Sequence, residues 1–201
     1  MKMEKETNDM LAENAVCQKA LANLSRALDA RRWFPEAVFL GQWSSFLFFD
    51  SDWIFEGPFV EKAKALLQIE GGQCAGISNL DEAVGGGGSS FFIDQKIAGQ
   101  DYQSFLKGPR VGDGWIYGVD RFGCTSDVGQ WCIYCERRNE IAVIAVRESR
   151  AVEKYRAAIA QFKAMPIDQA VALPLSYGFS ERALSAEWRA ELLKHYAMRS
   201  G

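Results

Sequence analysis

The chain has 201 residues, of which 48% are apolar and 24% charged, with a net charge of −3. That length suits one domain, or one domain with a helical appendage, and the apolar share is ample for a packed core. No Lys/Arg run exceeds two residues, which argues against a broad nucleic-acid footprint. No stretch approaches the ~18 uninterrupted apolar residues of a membrane span. The opening MKMEKETNDMLAEN is charged and lacks the apolar segment of a secretory signal, so a cytoplasmic protein is expected. Five cysteines, an odd number, read as reduced thiols with several in the core.

Residues 4–30 carry Cys17, Leu21, Leu24 and Leu28 at steps of four, three and four, which predicts a helix with one apolar stripe. Arg31 and Arg32 are expected in its last turn, where cations suit the helix dipole, making 1–32 an N-terminal helical segment. Pro35 then redirects the chain. In AVFLGQWSSFLFFDSDWIFEG, Phe46–Phe49 and Trp53–Phe55 read as two strands joined by a turn at Asp50-Ser51-Asp52. Gly57-Pro58 opens a second helix, with Val60, Ala63, Leu66 and Leu67 on its inner face and Gly71-Gly72 at its end. QCAGISNL reads as a short strand. Gly85–Gly88 with Ser89 reads as a flexible surface loop, although GGGGS is also the spelling of an engineered linker. A strand at Phe91–Asp94 follows, then one or two helical turns over 101–107, stopped by Gly108-Pro109.

Three strands are expected at 114–123, 131–136 and 140–148, with a tight turn at Arg137-Arg138-Asn139, as an antiparallel meander. Residues 149–201 form a C-terminal helical segment. Val152, Tyr155, Ile159 and Phe162 keep helical spacing over 149–163, and a short piece, 167–172, lies between Pro166 and Pro174. Leu184, Trp188, Leu192 and Tyr196 step by fours in the last helix, capped by Ser180 or Ser185. Strands and helices mix without βαβ alternation. The expected fold is therefore a single α+β domain over 1–201, an antiparallel sheet of about five or six strands packed by N-terminal, middle and C-terminal helices.

Trp131, Cys132 and Cys135 spell W-C-x-x-C, the local pattern of a thiol–disulfide enzyme. Such a site places its first thiol at a helix N-terminus, which lowers the thiol pKa. Here Trp131, Ile133 and Tyr134 favour a strand, in which residues i and i+3 point to opposite faces and the two sulfurs diverge. Core thiols are expected, with a thiol-redox site at Cys132/Cys135 as the alternative. Structural zinc sites use two compact ligand pairs, and this is the one pair present; Cys124, Cys74 and His195 are the remaining candidate ligands. No metal and no cofactor is expected. Gly85–Gly88 lacks the Lys-Ser/Thr that closes a phosphate loop. His195, the sole histidine, has no G-x-S-x-G serine to serve and reads as an exposed helical residue.

Carboxylates remain. Asp50, Asp52 and Glu56 flank aromatic residues including Trp53, and Asp113, Asp120 and Asp127 flank the strands around Trp115. Asp50 with Asp52 reads either as a hydrolytic acid–base pair or as plain turn chemistry. Acids set beside Trp and Tyr suit a protein interface better, because no base–nucleophile constellation accompanies them. The expected partner-binding residues are Asp50, Asp52, Trp53 and Glu56, with Trp115, Tyr117, Asp120 and Asp127 as a second patch.

The stretch 113–147, DGWIYGVDRFGCTSDVGQWCIYCERRNEIAVIAVR, pairs Trp- and Tyr-bearing strands with an E-R turn and an EIAVIA-type strand. In this layout it resembles the bacterial immunity proteins encoded beside polymorphic or secreted toxins. The resemblance covers less than a fifth of the chain and carries over no site residue. It implies a cytosolic, non-enzymatic α+β domain that neutralises a cognate toxin by covering or distorting its active site. An acidic inhibitor suits a basic toxin. The expected partner is thus a protein, not nucleic acid or membrane, and a homodimer is compatible with it.

Overall fold

The computed structural model describes residues 2–83, 89–147, 149–172 and 185–197. Gly85–Gly88, Ser180 and Leu184 lie outside the described residues. Helix α1 (Lys2–Ala27) follows its apolar stripe and lays Ala20, Leu24 and Ala27 onto the sheet. It ends earlier than the sequence predicts. Arg31 and Arg32 therefore lie beyond the helix and pair with Asp29 at 3.0 and 3.3 Å instead of the dipole. Strand β1 (Ser45–Asp50) leads into a 3-10 turn over Ser51–Phe55. The expected strand at Trp53–Phe55 is absent because the Asp50 carboxylate accepts the Asp52 N–H at 2.8 Å and curls the chain. Helix α2 (Pro58–Glu70) has Pro at its start and Gly71 at φ 74° as its C-cap, and Val60, Ala63, Leu66 and Leu67 are fully buried.

Strand β2 (Ala75–Asn79) runs into helix α3 (Leu80–Ala83). Strand β3 (Ser90–Ile93) and helix α4 (Gly99–Lys107) follow. Residues 115–118, expected within a strand, instead form the single helical turn α5 (Trp115–Gly118). That turn drives Trp115 inward, stacked on Phe122 (centroids 5.5 Å) and edge-on to Phe105 (4.8 Å), and this packing outweighs its strand propensity. Strand β4 (Arg121–Ser126) starts only after it, followed by β5 (Trp131–Glu136) and β6 (Ile141–Val146) as the expected meander. Helix α6 (Ser149–Ala160), the two-residue strand β7 (Met165–Pro166), α7 (Ile167–Ala172) and α8 (Ala186–Tyr196) complete the order, with Ser185 capping α8.

The strands form one seven-stranded antiparallel sheet, β3-β2-β4-β5-β6-β1-β7. The fold is α+β, with more strands than the five or six expected; β7 is too short to leave a sequence signal. Both sheet faces are covered. Trp131, Ile133, Cys135, Ala142, Ile144 and Val146 pack against α2, α4 and α6. Cys132, Tyr134, Ile141, Val143 and Ala145 pack towards α1, α7 and α8. Alternation along each strand supplies the two cores, and burial on both sides makes β5 and β6 read as continuous apolar runs. Glycine lets α1 sit close to the sheet. A Cβ at Gly123 would stand 2.7 Å from Cδ1 of both Leu24 and Leu28, and one at Gly76 3.0 Å from Leu21 Cδ2.

Candidate functional site

Register places one set of strand ends together. Asn79 pairs with Phe122, Arg121 with Glu136, and both Glu136 and Asp50 with Ile141. The loops leaving this end carry Asp50, Asp52, Trp53, Glu56, Tyr117 and Asp120. Asp50, Asp52, Glu56 and Asp120 are exposed, Trp53 is half-buried, and Tyr117 is 54% exposed. Arg137 joins the two groups of loops. Its N–H donates to the Asp120 carbonyl at 2.8 Å, its guanidinium donates to the Ile116 carbonyl, and it lies over the Phe55 ring at 4.7 Å. The two patches read from the sequence are therefore one face, apart from two residues.

Those two are Trp115 and Asp127. Trp115 is buried, its indole N–H donating to Ser89 Oγ at 3.0 Å. Asp127 follows the opposite end of β4, roughly 20 Å of strand away. It is 8% exposed, and its Oδ1 accepts the N–H groups of Gln73 (2.9 Å) and Cys74 (3.2 Å). It fastens the turn before β2, with little of its surface left exposed.

The face rests on buried charge. Lys62 of α2 is 6% exposed and has no hydrogen-bond partner for Nζ, which instead lies 3.5 Å from the centroid of Trp53. Burial lowers the Lys62 pKa, against the opposing pull of the Glu56 carboxylate. The Asp50 carboxyl is pushed up by desolvation, and the charges of Asp52 and Glu56 add to the shift. Behind the face, Arg121 donates to Asp81 Oδ1 (2.7 Å) and to the Ala30 and Arg32 carbonyls (2.7 and 3.0 Å), and lies 3.8 Å over Trp33. Glu136 accepts from Phe34 N–H, Tyr134 Oη and Asn139 Nδ2, and burial raises its pKa. Beside this network a cleft of about 930 Å³ opens between Asn79, Asp81, Glu82, Phe105, Asp113 and Trp115. Sequence reasoning missed Arg121, Lys62 and Arg137. Charged residues inside or against otherwise apolar elements were the signal available.

The other candidates sit elsewhere. Cys132 and Cys135 are fully buried in opposite cores, and burial pushes both thiols well above the usual range. A low-pKa thiolate at either position is incompatible with that environment. His195 is exposed on α8 and pairs with Glu191 at 2.9 Å. Among the described residues, no three His, Cys, Asp or Glu side chains group as metal ligands, and no helix is long and apolar enough to cross a membrane. No family model, curated protein or solved structure matches this chain.

Proposed function

We propose that the protein is a non-enzymatic binding protein, an immunity protein that neutralises a cognate bacterial toxin by direct contact. The observation that carries this reading is the gathering of Asp50, Asp52, Glu56 and Asp120 with Trp53 and Tyr117 on one end of the sheet. Trp and Tyr anchor interfaces, while exposed carboxylates steer a basic partner and raise its association rate. The buried supports beneath, Arg121, Glu136 and Lys62, hold the loops in one arrangement and limit the ordering cost of binding. The burial of Cys132 and Cys135 supports this reading over the alternative of a thiol-redox site at those two residues.

The test is a binding titration of the purified protein with the product of the neighbouring gene. The triple variant Asp50→Asn, Asp52→Asn, Glu56→Gln keeps the Asp50 turn acceptor and removes three charges. It should bind at least about tenfold more weakly, with most of the loss in association rate and a shallower salt dependence. Absence of binding by the wild type, or an unchanged constant for the triple variant, overturns the proposal.

A further inference from the structure

Away from the acidic face, α1 and the start of β2 bring two thiols together. Cys17 Sγ and Cys74 Sγ stand 2.6 Å apart, 57 residues distant in sequence, and both are free cysteines. Unbonded carbon atoms settle about 3.5–4.0 Å apart and sulfur is no smaller, while a disulfide bond is about 2.05 Å, so the pair stands closer to bonding distance than to ordinary contact. Their surroundings differ. Cys74 is 2% exposed and held from behind, its N–H donating to Asp127 Oδ1. Cys17 is half-buried and opens, with Cys74, into a cleft of about 250 Å³ lined by Val16, Gly72, Gln73, Asp94 and Lys96. Cys124, Cys132 and Cys135 are buried in the sheet.

We propose that Cys17 and Cys74 form a redox-modification site, in which Cys17 attacks a small disulfide of the glutathione class arriving from solvent and Cys74 resolves the adduct. In the first step the Cys17 thiol loses its proton and attacks one sulfur of the oxidant. A new S–S bond forms, the oxidant's own S–S bond breaks, and one glutathione thiol leaves with the proton. In the second step Cys74 loses its proton and attacks Cys17 Sγ, the mixed disulfide breaks, and the second glutathione thiol leaves. Two protein thiols are oxidised by two electrons and one glutathione disulfide is reduced to two thiols. Cys17 opens to the cleft and reacts first; Cys74 is buried, which also raises its pKa, and reacts second. Direct contact gives the second step a high effective concentration that offsets the scarcity of Cys74 thiolate.

The bond would fasten α1 to the sheet just ahead of the segment where Ala20 and Leu21 close over Gly76. The modification is separate from the acidic face and holds whether or not that face binds a toxin.

The experiment exposes the native wild-type protein to glutathione redox buffers from fully reduced to fully oxidised, followed by acid quench, alkylation and peptide mapping. The expected product is a single cross-linked peptide pair containing Cys17 and Cys74, lighter by two hydrogen atoms, with Cys124, Cys132 and Cys135 remaining as thiols. A Cys74→Ala variant should instead retain glutathione on Cys17, and Cys17→Ala should leave Cys74 unmodified. Wild-type protein that keeps both thiols in fully oxidised buffer overturns the proposal, as does one that stops at a stable Cys17 adduct or cross-links a different pair. Because the wild-type map decides the matter alone, a variant that fails to fold leaves the test intact.

Discussion

Replacing Asp127 separates a structural carboxylate from a binding one. Its Oδ1 accepts two backbone N–H groups, from Gln73 at 2.9 Å and from Cys74 at 3.2 Å. Asp127→Ala removes the shared acceptor and leaves both N–H groups without it. The Cys74 N–H is buried, so losing its partner costs about 1–3 kcal/mol; Gln73 is at the surface, where water takes over and the net loss is about 0.5–1.5 kcal/mol. The expected destabilisation is about 1.5–4.5 kcal/mol, a large fraction of the ~5–15 kcal/mol that holds a domain folded. Asp127→Asn keeps an Oδ1 acceptor and should lose less than about 1.5 kcal/mol. Urea denaturation of the two variants and the wild type at one pH gives the three free energies. Partner affinity of the folded Asp127→Ala protein should be unchanged. Stability within about 0.5 kcal/mol of wild type for Asp127→Ala, or weakened binding at unchanged stability, would refute the clasp and return Asp127 to the interface.

Gly123→Ala places a Cβ 2.7 Å from two leucine methyl groups of α1 and should cost about 1–3 kcal/mol through overpacking, measured by the same urea titration. Cys132 and Cys135 should resist an alkylating reagent in the native protein from neutral pH to about pH 9 and react only once urea unfolds it, with or without a zinc chelator. Fast native-state labelling of either would sink the assignment of both as core thiols. Glu136 has a folded pKa raised by burial, so its contribution to stability is present below the unfolded carboxyl pKa, about 4.3, and is lost as pH rises through the higher folded value. The stability difference between wild type and Glu136→Gln should therefore shift against the wild type as pH climbs through that window. A difference that is flat with pH would show that Glu136 is not desolvated.

Local signals made some elements legible and non-local contacts hid others. Helix α2 is written in its own residues, with Pro58 at the start, Gly71 in the left-handed region at the end and a repeating apolar face between. Strands β5 and β6 are equally plain, because burial on both faces leaves continuous runs of apolar residues. By contrast, Trp53–Phe55 and Trp115–Gly118 have aromatic, strand-favouring sequences yet turn helically. The first obeys the Asp50 carboxylate, and the second obeys a pocket formed by Phe105, Phe122 and Ser89. The candidate face divides in the same way. That Asp50, Asp52 and Glu56 leave a strand end was readable from turn chemistry. That Asp127 turns inward depends on backbone 54 residues away, and the placing of Trp53 over Lys62 depends on how α2 docks. Arg121 and Glu136 end neighbouring strands, a relation that exists only once β4 and β5 pair.

Growth rescue measures the proposed function most directly. Cells expressing the product of the neighbouring gene would be compared with cells that also express this protein, as wild type or as the Asp50→Asn, Asp52→Asn, Glu56→Gln variant, with both forms shown to melt alike. Restored growth with the wild type and lost protection with the variant is the predicted result. Failure of the wild type to protect, or equal protection by the variant, would contradict a toxin-neutralising role for the acidic end of the sheet.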